Sequence, residues 1–310
     1  MLHTTPTAPR TRRRRRLPVG FIAICTLPAL LLTVYFTLVP TIRALLMSFT
    51  DSTTLGMSSA SFIGLENYTY MFKDRRFLQA MNNTFKLMLV VPIITLSISL
   101  LLAFILSQTK LREKTLYRTV FFFPSIISMT VVGIIWSFVF HPTMGILNTF
   151  LDFAGLGNLA RPWLGDARTA LWCVAAALVW QAAGYYMVMH IAAMDSISPE
   201  IYEAATIDGA STVRKFFSIT VPLILDIVGI TYVLSLSGTI NLSYVLSSVM
   251  TGGGPNGAST VLLQYMYNQG MGNANFGYSM AITVFTLAIS IVLSAASRWL
   301  SGRQEGGENG

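Results

Sequence analysis

Glu203-Ala-Ala-Thr-Ile-Asp-Gly-Ala-Ser-Thr-Val-Arg-Lys-Phe-Phe-Ser-Ile-Thr-Val-Pro222 is a charged passage between two strongly apolar segments, and its punctuation is specific. Just upstream, Ser198-Pro199 reads as a helix N-cap followed by proline at the first helical position, where a missing N–H costs nothing. Ile197, Ile201 and Ala204/Ala205 recur at helical spacing, while Glu200 and Glu203 share another face. Gly209 can take the left-handed conformation that closes a helix, and Ser211 can cap the next one. Pro222 marks where that second helix must bend or restart. The spacing predicts two short helices meeting at a glycine, held just outside a membrane and gripped there by another protein.

The membrane follows from composition. Of 310 residues, 53% are hydrophobic and only 11% are charged, against about 25% charged in a soluble domain. The apolar residues fall in blocks long enough to cross a bilayer, which takes about 20 residues each. A formal charge of +8 does not point to nucleic acid, because five of the positives are the run Arg12 to Arg16. Beside an apolar span such a run sets topology and meets anionic lipid headgroups. Cys25 and Cys173 both lie in apolar segments, so neither a disulfide framework nor metal-ligand spacing is present.

Six blocks predict an all-α integral membrane protein with spans over roughly 19–40, 84–107, 119–140, 170–192, 219–241 and 278–299. Residues 1–18 form a basic tail, 19–300 the membrane domain, and 301–310 a polar tail read as disordered. The helical passage, about 195–222, then connects spans four and five. The first block exceeds the usual core of a cleaved signal peptide and lacks a small-x-small cleavage site, so it reads as an anchored span. Fourteen of the 21 Lys and Arg fall on one side of this topology, among them Arg10, Arg12 to Arg16, Lys110, Arg214 and Lys215. The positive-inside rule makes that side cytoplasmic, with both termini and the 195–222 passage on it.

Catalytic chemistry finds little support. His3, His141 and His190 have no carboxylate or cysteine at ligand spacing, and His190 reads as structural. No GxxxxGK[ST] phosphate loop occurs, and Thr251-Gly-Gly-Gly-Pro255, which lacks the lysine, reads as a tight extracytoplasmic turn. Ion-coupled carriers place a charge near the bilayer midplane. The main candidate here, Asp226, stands a few residues past Pro222, near the cytoplasmic end of span five, where a carboxylate reaches water. Neutral polar groups are more plentiful: Gln181, Tyr185 and Tyr186 in span four, Ser235, Ser237, Thr239, Ser243 and Tyr244 around the end of span five, and Ser279, Thr283 and Thr286 in span six. Lone Ser and Thr in spans more often bond a helix backbone. A cluster of hydroxyl, amide and aromatic groups is nevertheless what an uncharged, hydroxyl-rich solute needs, so Gln181, Tyr185, Thr239, Ser243 and Tyr244 are the pathway candidates.

Glu203-Ala-Ala205, Asp208-Gly-Ala210, Phe217, Ile219 and Pro222 resemble the EAA loop of binding-protein-dependent ABC importer permeases. Similarity runs on through Gly64-Leu-Glu-Asn-Tyr68, Asn83-Thr84, Pro124 with Ile127-Ser128, Trp136, Trp163-Leu164, Trp180 with Gly184-Tyr185, and Thr251-Gly-Gly-Gly-Pro255. Together these resemble the MalF/UgpA-type permeases of carbohydrate-uptake importers. Asp226 departs from the pattern, standing where the family often has a second proline, and Ile240 and Leu242 replace positions that are often polar.

The resemblance implies a division of labour. This chain binds no cofactor, while ATP and Mg are held by two cytoplasmic ATPase subunits. A second permease of the MalG type completes the pathway, and an extracytoplasmic solute-binding protein delivers a sugar. Glu203, Ala204, Ala205, Asp208, Gly209 and Ala210 are implied to seat in the ATPase, the alanines by permitting close approach and Glu203 by offering a charge to an arginine. A permease for glycerol phosphate or another polyol ester is the alternative within this class, and an ion-coupled secondary carrier the alternative outside it.

Overall fold

The computed structural model describes residues 19–55, 60–108 and 113–305. The arginine run, Lys110 and Arg112, and the last five residues therefore lie outside the described residues. Helix α1 (Val19–Thr33) passes through a π-turn at Val34–Leu38 into α2 (Val39–Met47). There follow α3 (Glu66–Met71), α4 (Arg75–Gln108), α5 (Lys114–Phe122), α6 (Met129–Val139), α7 (Ile146–Phe153) and α8 (Ala170–Met194). Then come α9 (Pro199–Ile207), α10 (Thr212–Lys215), α11 (Val221–Leu223), α12 (Leu225–Met250), α13 (Leu262–Tyr267) and α14 (Phe276–Glu305). Among the described residues there is no strand, only a single antiparallel bridge between Thr50 and Phe62. The chain falls into two compact units that divide between Leu46 and Met47.

Among the described residues, four helical stretches are long and apolar enough to cross a membrane: Ala23–Met47, Arg75–Ser107, Ala170–Met194 and Leu225–Met250. The fifth candidate is a bent pair. The sequence predicts one span over 119–140, but α5 with its terminal 3-10 turn and α6 meet at 100°. Pro124 sits in the 3-10 turn Phe123–Ile126, and Ile127 and Ser128 are extended at ψ 139 and 135°. A proline lacks the N–H that continues a helix, and an apolar run hides that break from hydropathy. The sixth block is the apolar part of α14, Phe276–Val292.

Three further boundaries differ from the sequence reading. Helix α4 begins at Arg75, a few turns before the predicted apolar edge, because Asp74 caps it: its carboxylate accepts the Arg76 N–H at 2.9 Å. Span five is α12 and begins at Leu225 rather than 219. The Pro222 ring would collide with the carbonyl one turn back, and the chain widens into a π-turn at Phe216–Thr220 and breaks at Ile224 (φ −109°, ψ 14°). The tail predicted as disordered from 301 continues α14 as far as Glu305.

The second unit is organised along α4, whose successive turns enter three apolar clusters. Phe77 and Ala80 join Met71, Leu262, Tyr278 and Ile282 at one end. Leu87 and Val91 meet Val132, Val174, Leu178 and Leu246 in the middle. Ala103, Phe104 and Leu106 meet Met187, Ile191, Phe216 and Ile224 at the other end. Between membrane helices close packing replaces the gain of leaving water, which favours small residues at the contacts. Gly184 on α8 is such a contact: a Cβ there would run into the Phe121 carbonyl. His190, fully buried, ties three helices together, its ring nitrogens lying 3.1 Å from Ser99 Oγ on α4 and 3.0 Å from Thr231 Oγ1 on α12. That geometry agrees with a structural histidine.

Candidate functional site

The passage 198–222 forms a braced elbow. Ser198 takes the N-cap position with extended ψ of 129° and Pro199 opens α9, though the Ser198 hydroxyl makes no cap bond; its carbonyl instead accepts the Ile201 N–H at 3.1 Å. At the other end Gly209 has φ +74°. Its N–H donates to Thr206 O at 3.1 Å, and the Ala210 N–H donates to Ala205 O at 2.8 Å. These two bonds are the Schellman closure, which needs a left-handed residue at that point. Ser211 Oγ accepts the Arg214 N–H at 3.3 Å and so caps α10.

Side chains then cross the corner. Lys215 Nζ donates to Thr206 Oγ1 at 2.7 Å. The Thr220 hydroxyl donates to the Lys215 carbonyl at 3.2 Å, which leaves its oxygen to accept from Tyr202 Oη at 2.9 Å. Thr220 is fully buried. The elbow is therefore two helices locked at a fixed angle, with α9 joined directly to the π-turn that leads to α12. At its root, Arg118 of α5 pairs with Asp195, the residue that closes α8, at 3.5 Å.

The outer surface of the elbow is apolar with charges set into it. Ile207 is 87% exposed, Val213 67% and Phe217 65%. Glu203, Ala204 and Asp208 are exposed, Ala210 is half-buried, and Ala205 turns inward. Among the described residues the Glu203 carboxylate has no hydrogen bond or ion pair. Asp226 is exposed in the first turn of α12, where the helix dipole favours a carboxylate.

The five pathway candidates lie on α8 and α12. Gln181 donates to the Ser125 carbonyl at 3.3 Å. Thr239 and Ser243 are buried and spend their hydroxyls on Ser235 O and Ile240 O of their own helix, at 2.8 and 3.1 Å. Tyr185 is 47% exposed and stands edge-on to Tyr186, while Tyr244 stacks near Tyr267 at 5.8 Å. A cavity of about 300 Å³ between α12 and α14 is lined instead by Ser237, Asn241, Thr283, Thr286 and Ser290, with apolar Ile240, Leu263 and Leu287. Asn241 and Ser290 were not singled out from the sequence; their spacing of four from Ser237 and Thr286 is the signal that places each pair on one face.

At the end of the molecule remote from the elbow, Thr251–Gly257 is a tightly bonded loop. Gly252, Gly253, Asn256 and Gly257 all have positive φ. Ser247 Oγ is 2.6 Å from Ser259 O and 2.7 Å from Gln264 Oε1, and Thr260 Oγ1 donates to Gly253 O at 2.9 Å. Asn83 on α4 donates to Gly257 O and Thr260 O at 3.1 and 3.0 Å, and Thr84 Oγ1 accepts the Leu262 N–H at 2.8 Å. Asn67 similarly pins the chain after α2, donating to Ser48 O and Thr50 O at 2.9 Å. The motifs around Asn67, Asn83-Thr84 and Thr251–Pro255 are thus brackets that hold this end together.

Long apolar helices packed into a bundle, with a locked elbow at one end, are the architecture of an integral membrane protein. The chain belongs to the family of binding-protein-dependent transport system inner membrane components, whose model matches residues 100–306. It is a permease subunit of an ABC importer, not an enzyme. It is 37% identical over 235 residues, 76% of this chain and 80% of the other, to the probable ABC transporter permease protein YurN of Bacillus subtilis. It is 33% identical over 312 residues, 96% of this chain and 87% of the other, to the diacetylchitobiose uptake system permease protein NgcF of Streptomyces coelicolor. The sn-glycerol-3-phosphate transport system permease protein UgpA of Agrobacterium fabrum is 31% identical over 268 residues, 86% and 90% of the two chains. In fold, it superposes on a chain of a bacterial ABC transporter that imports the acidic polysaccharide alginate with a TM-score of 0.81, 21% identity, and 92% and 96% of the two chains covered.

Proposed function

We propose that this chain carries a sugar or short oligosaccharide across the inner membrane of a bacterial-type cell, driven by two ATPase subunits that grip α9. The observation that carries the reading is the elbow. It is locked internally by the Tyr202–Thr220 and Lys215–Thr206 bonds, offers apolar and acidic groups outward, and belongs to a chain with no nucleotide-binding motif of its own. Closure of the ATPases pulls on α9, and the brace passes that movement to α12. In this reading the chain crosses the membrane six times, counting the bent pair and α14, with both termini and the elbow in the cytoplasm. A MalG-type permease and an extracytoplasmic binding protein complete the importer, and ATP and Mg reside in the ATPases. Relatives whose names specify diacetylchitobiose and arabinooligosaccharides support the substrate class.

Polyol phosphate is the second reading, favoured by the UgpA relatives. Against it, the cavity between α12 and α14 is lined by hydroxyls and one carboxamide without a cation, and phosphate recognition calls on Arg or Lys. The test is purification of the assembled importer in mild detergent, followed by ATP-driven uptake into proteoliposomes of labelled N,N′-diacetylchitobiose, arabinotriose and sn-glycerol 3-phosphate. An ATPase travelling with the chain and uptake of a saccharide are expected. Uptake of the phosphate ester alone replaces the sugar reading, and absence of any ATPase removes the coupling reading.

A further inference from the structure

We infer that the cleft bounded by the glycine loop, the first turns of α4, and α13 is a saccharide-holding subsite on the extracytoplasmic face. The inference rests on the orientation and substrate class proposed above. The cleft has a volume of about 570 Å³, in the size range of small-molecule sites, which are about 300–1,000 Å³ and mostly apolar. This one is not apolar: Arg76, Gln79, Asn256, Asn268, Gln269 and Asn273 make up six of its ten lining residues. Five carboxamides and one guanidinium suit a polyol. Each amide offers a donor pair and an acceptor to neighbouring hydroxyls, and the guanidinium adds a fork of donors.

Two properties separate this cleft from an incidental polar surface. First, four of its six recognition groups are unspent or nearly so. Among the described residues the side chains of Arg76, Asn256 and Asn268 make no internal hydrogen bond, and Gln79 makes only a 3.4 Å contact to the Asn256 carbonyl. Second, its frame is fixed. Gln269 donates to Tyr265 Oη at 2.7 Å and accepts from Asn273 at 3.2 Å. Tyr265 and Tyr278 both donate to Asp74, the cap of α4. Asn83 holds the opposite rim through Gly257 and Thr260. Open donors on a rigid frame are what preorganised binding requires. A single guanidinium among five amides is matched to neutral hydroxyls, whereas a phosphate would draw further cations.

Cysteine protection tests this in the assembled importer held in nanodiscs without binding protein, on a Cys25→Ser background. Asn268→Cys is labelled with a membrane-impermeant maleimide, alone and with each of the three solutes above. The saccharide that the same complex takes up with ATP and binding protein should slow labelling about fivefold at roughly four times its Kd. Arg76→Ala should raise the concentration required about tenfold, as loss of a charge-assisted hydrogen bond does, and a control Asn158→Cys should be unaffected. Gln79→Cys, on the facing rim, gives the same readout if Asn268→Cys itself weakens binding. Unchanged labelling at both rims by a saccharide that is taken up overturns the subsite and leaves the importer reading standing. Protection by sn-glycerol 3-phosphate alone overturns the sugar assignment of the cleft. Uptake of no saccharide removes the substrate class and this subsite with it.

Discussion

Asp74 ties α4, α13 and α14 together through one carboxylate, which accepts from Tyr265, Tyr278 and the N–H of Arg76. Burial pushes its pKa up, but the hydrogen bonds from the two tyrosines and from the Arg76 and Phe77 backbone outweigh that and hold it below the ordinary carboxylate value. A depressed folded-state pKa contributes stability that is present above the unfolded value, about 3.9, and is lost as pH falls through the folded one. Asp74→Asn should therefore destabilise the protein by about 2 kcal/mol at pH 7, the worth of hydrogen bonds to a charged group. The gap to wild type should close as pH drops below about 4. Thermal unfolding in detergent across pH checks both, and a gap that persists unchanged at pH 3 refutes the assignment. None of this could be read in the sequence, where Lys73-Asp-Arg-Arg76 is merely a charged cluster. The tyrosines that give Asp74 its meaning lie about 190 and 204 residues away in the chain. Gly184 was legible as part of a motif but not in its reason, the close approach of α8 to Phe121. Gly184→Ala should cost about 1–3 kcal/mol through overpacking, visible as a lower unfolding temperature.

Helix elements divide by how local their punctuation is. The ends of α9 and α10 were readable because Ser198-Pro199, Gly209 and Ser211 act within a turn of themselves. The bend between α5 and α6, and the late start of α12, were not, because apolar residues continue across Pro124 and Pro222 and the chain breaks only where tertiary packing permits. The elbow also changes character in three dimensions. Sequence alone suggests that Gly209 is a joint; the bonds spanning it make it a fixed corner. A Cβ at Gly209 meets nothing within 4 Å, so Gly209→Ala should cost only backbone strain of about 1 kcal/mol. Gly209→Pro cannot adopt φ +74° and deletes the N–H donated to Thr206, so it should abolish transport. Tyr202→Phe removes the Tyr202–Thr220 bond of the brace and leaves the Lys215–Thr206 bond in place. It should leave ATPase binding and basal hydrolysis intact while lowering the ratio of solute-stimulated to basal hydrolysis several-fold. Glu203→Lys, outside the brace, should instead reduce copurification of the ATPase. If Tyr202→Phe and wild type show the same ratio, force does not pass through Thr220.

At the scale of the molecule, hydropathy and charge suffice for the class but not for the handling of solute. An apolar majority and the EAA-like stretch specify a membrane permease, and the family match confirms that class. Span composition picks out Thr239 and Ser243, whose hydroxyls bond their own helix, whereas the cleft at the glycine loop draws its polar side chains from segments up to 197 residues apart, Arg76 to Asn273. Such convergence is a property of the packed bundle. An apolar groove of about 870 Å³ between α4, α5 and α8 is lined by Phe121, Phe123, Trp172 and Trp180 with aliphatic neighbours, which suits lipid or another apolar span rather than a sugar. Topology then decides how the two ends work. In the proposed topology the excess of Lys and Arg marks the elbow's side as the inside, and α4, α8 and α12 carry the chain from that end to the glycine loop. On a Cys25→Ser background in intact cells, Asn158→Cys in the α7–α8 connection should react with an impermeant maleimide, while Thr212→Cys on α10 should react only after permeabilisation. Both positions are exposed, so reactivity reports sidedness rather than burial. Labelling of Thr212→Cys from outside would invert the bundle, place the elbow away from ATP, and sink the coupling mechanism together with the extracytoplasmic subsite.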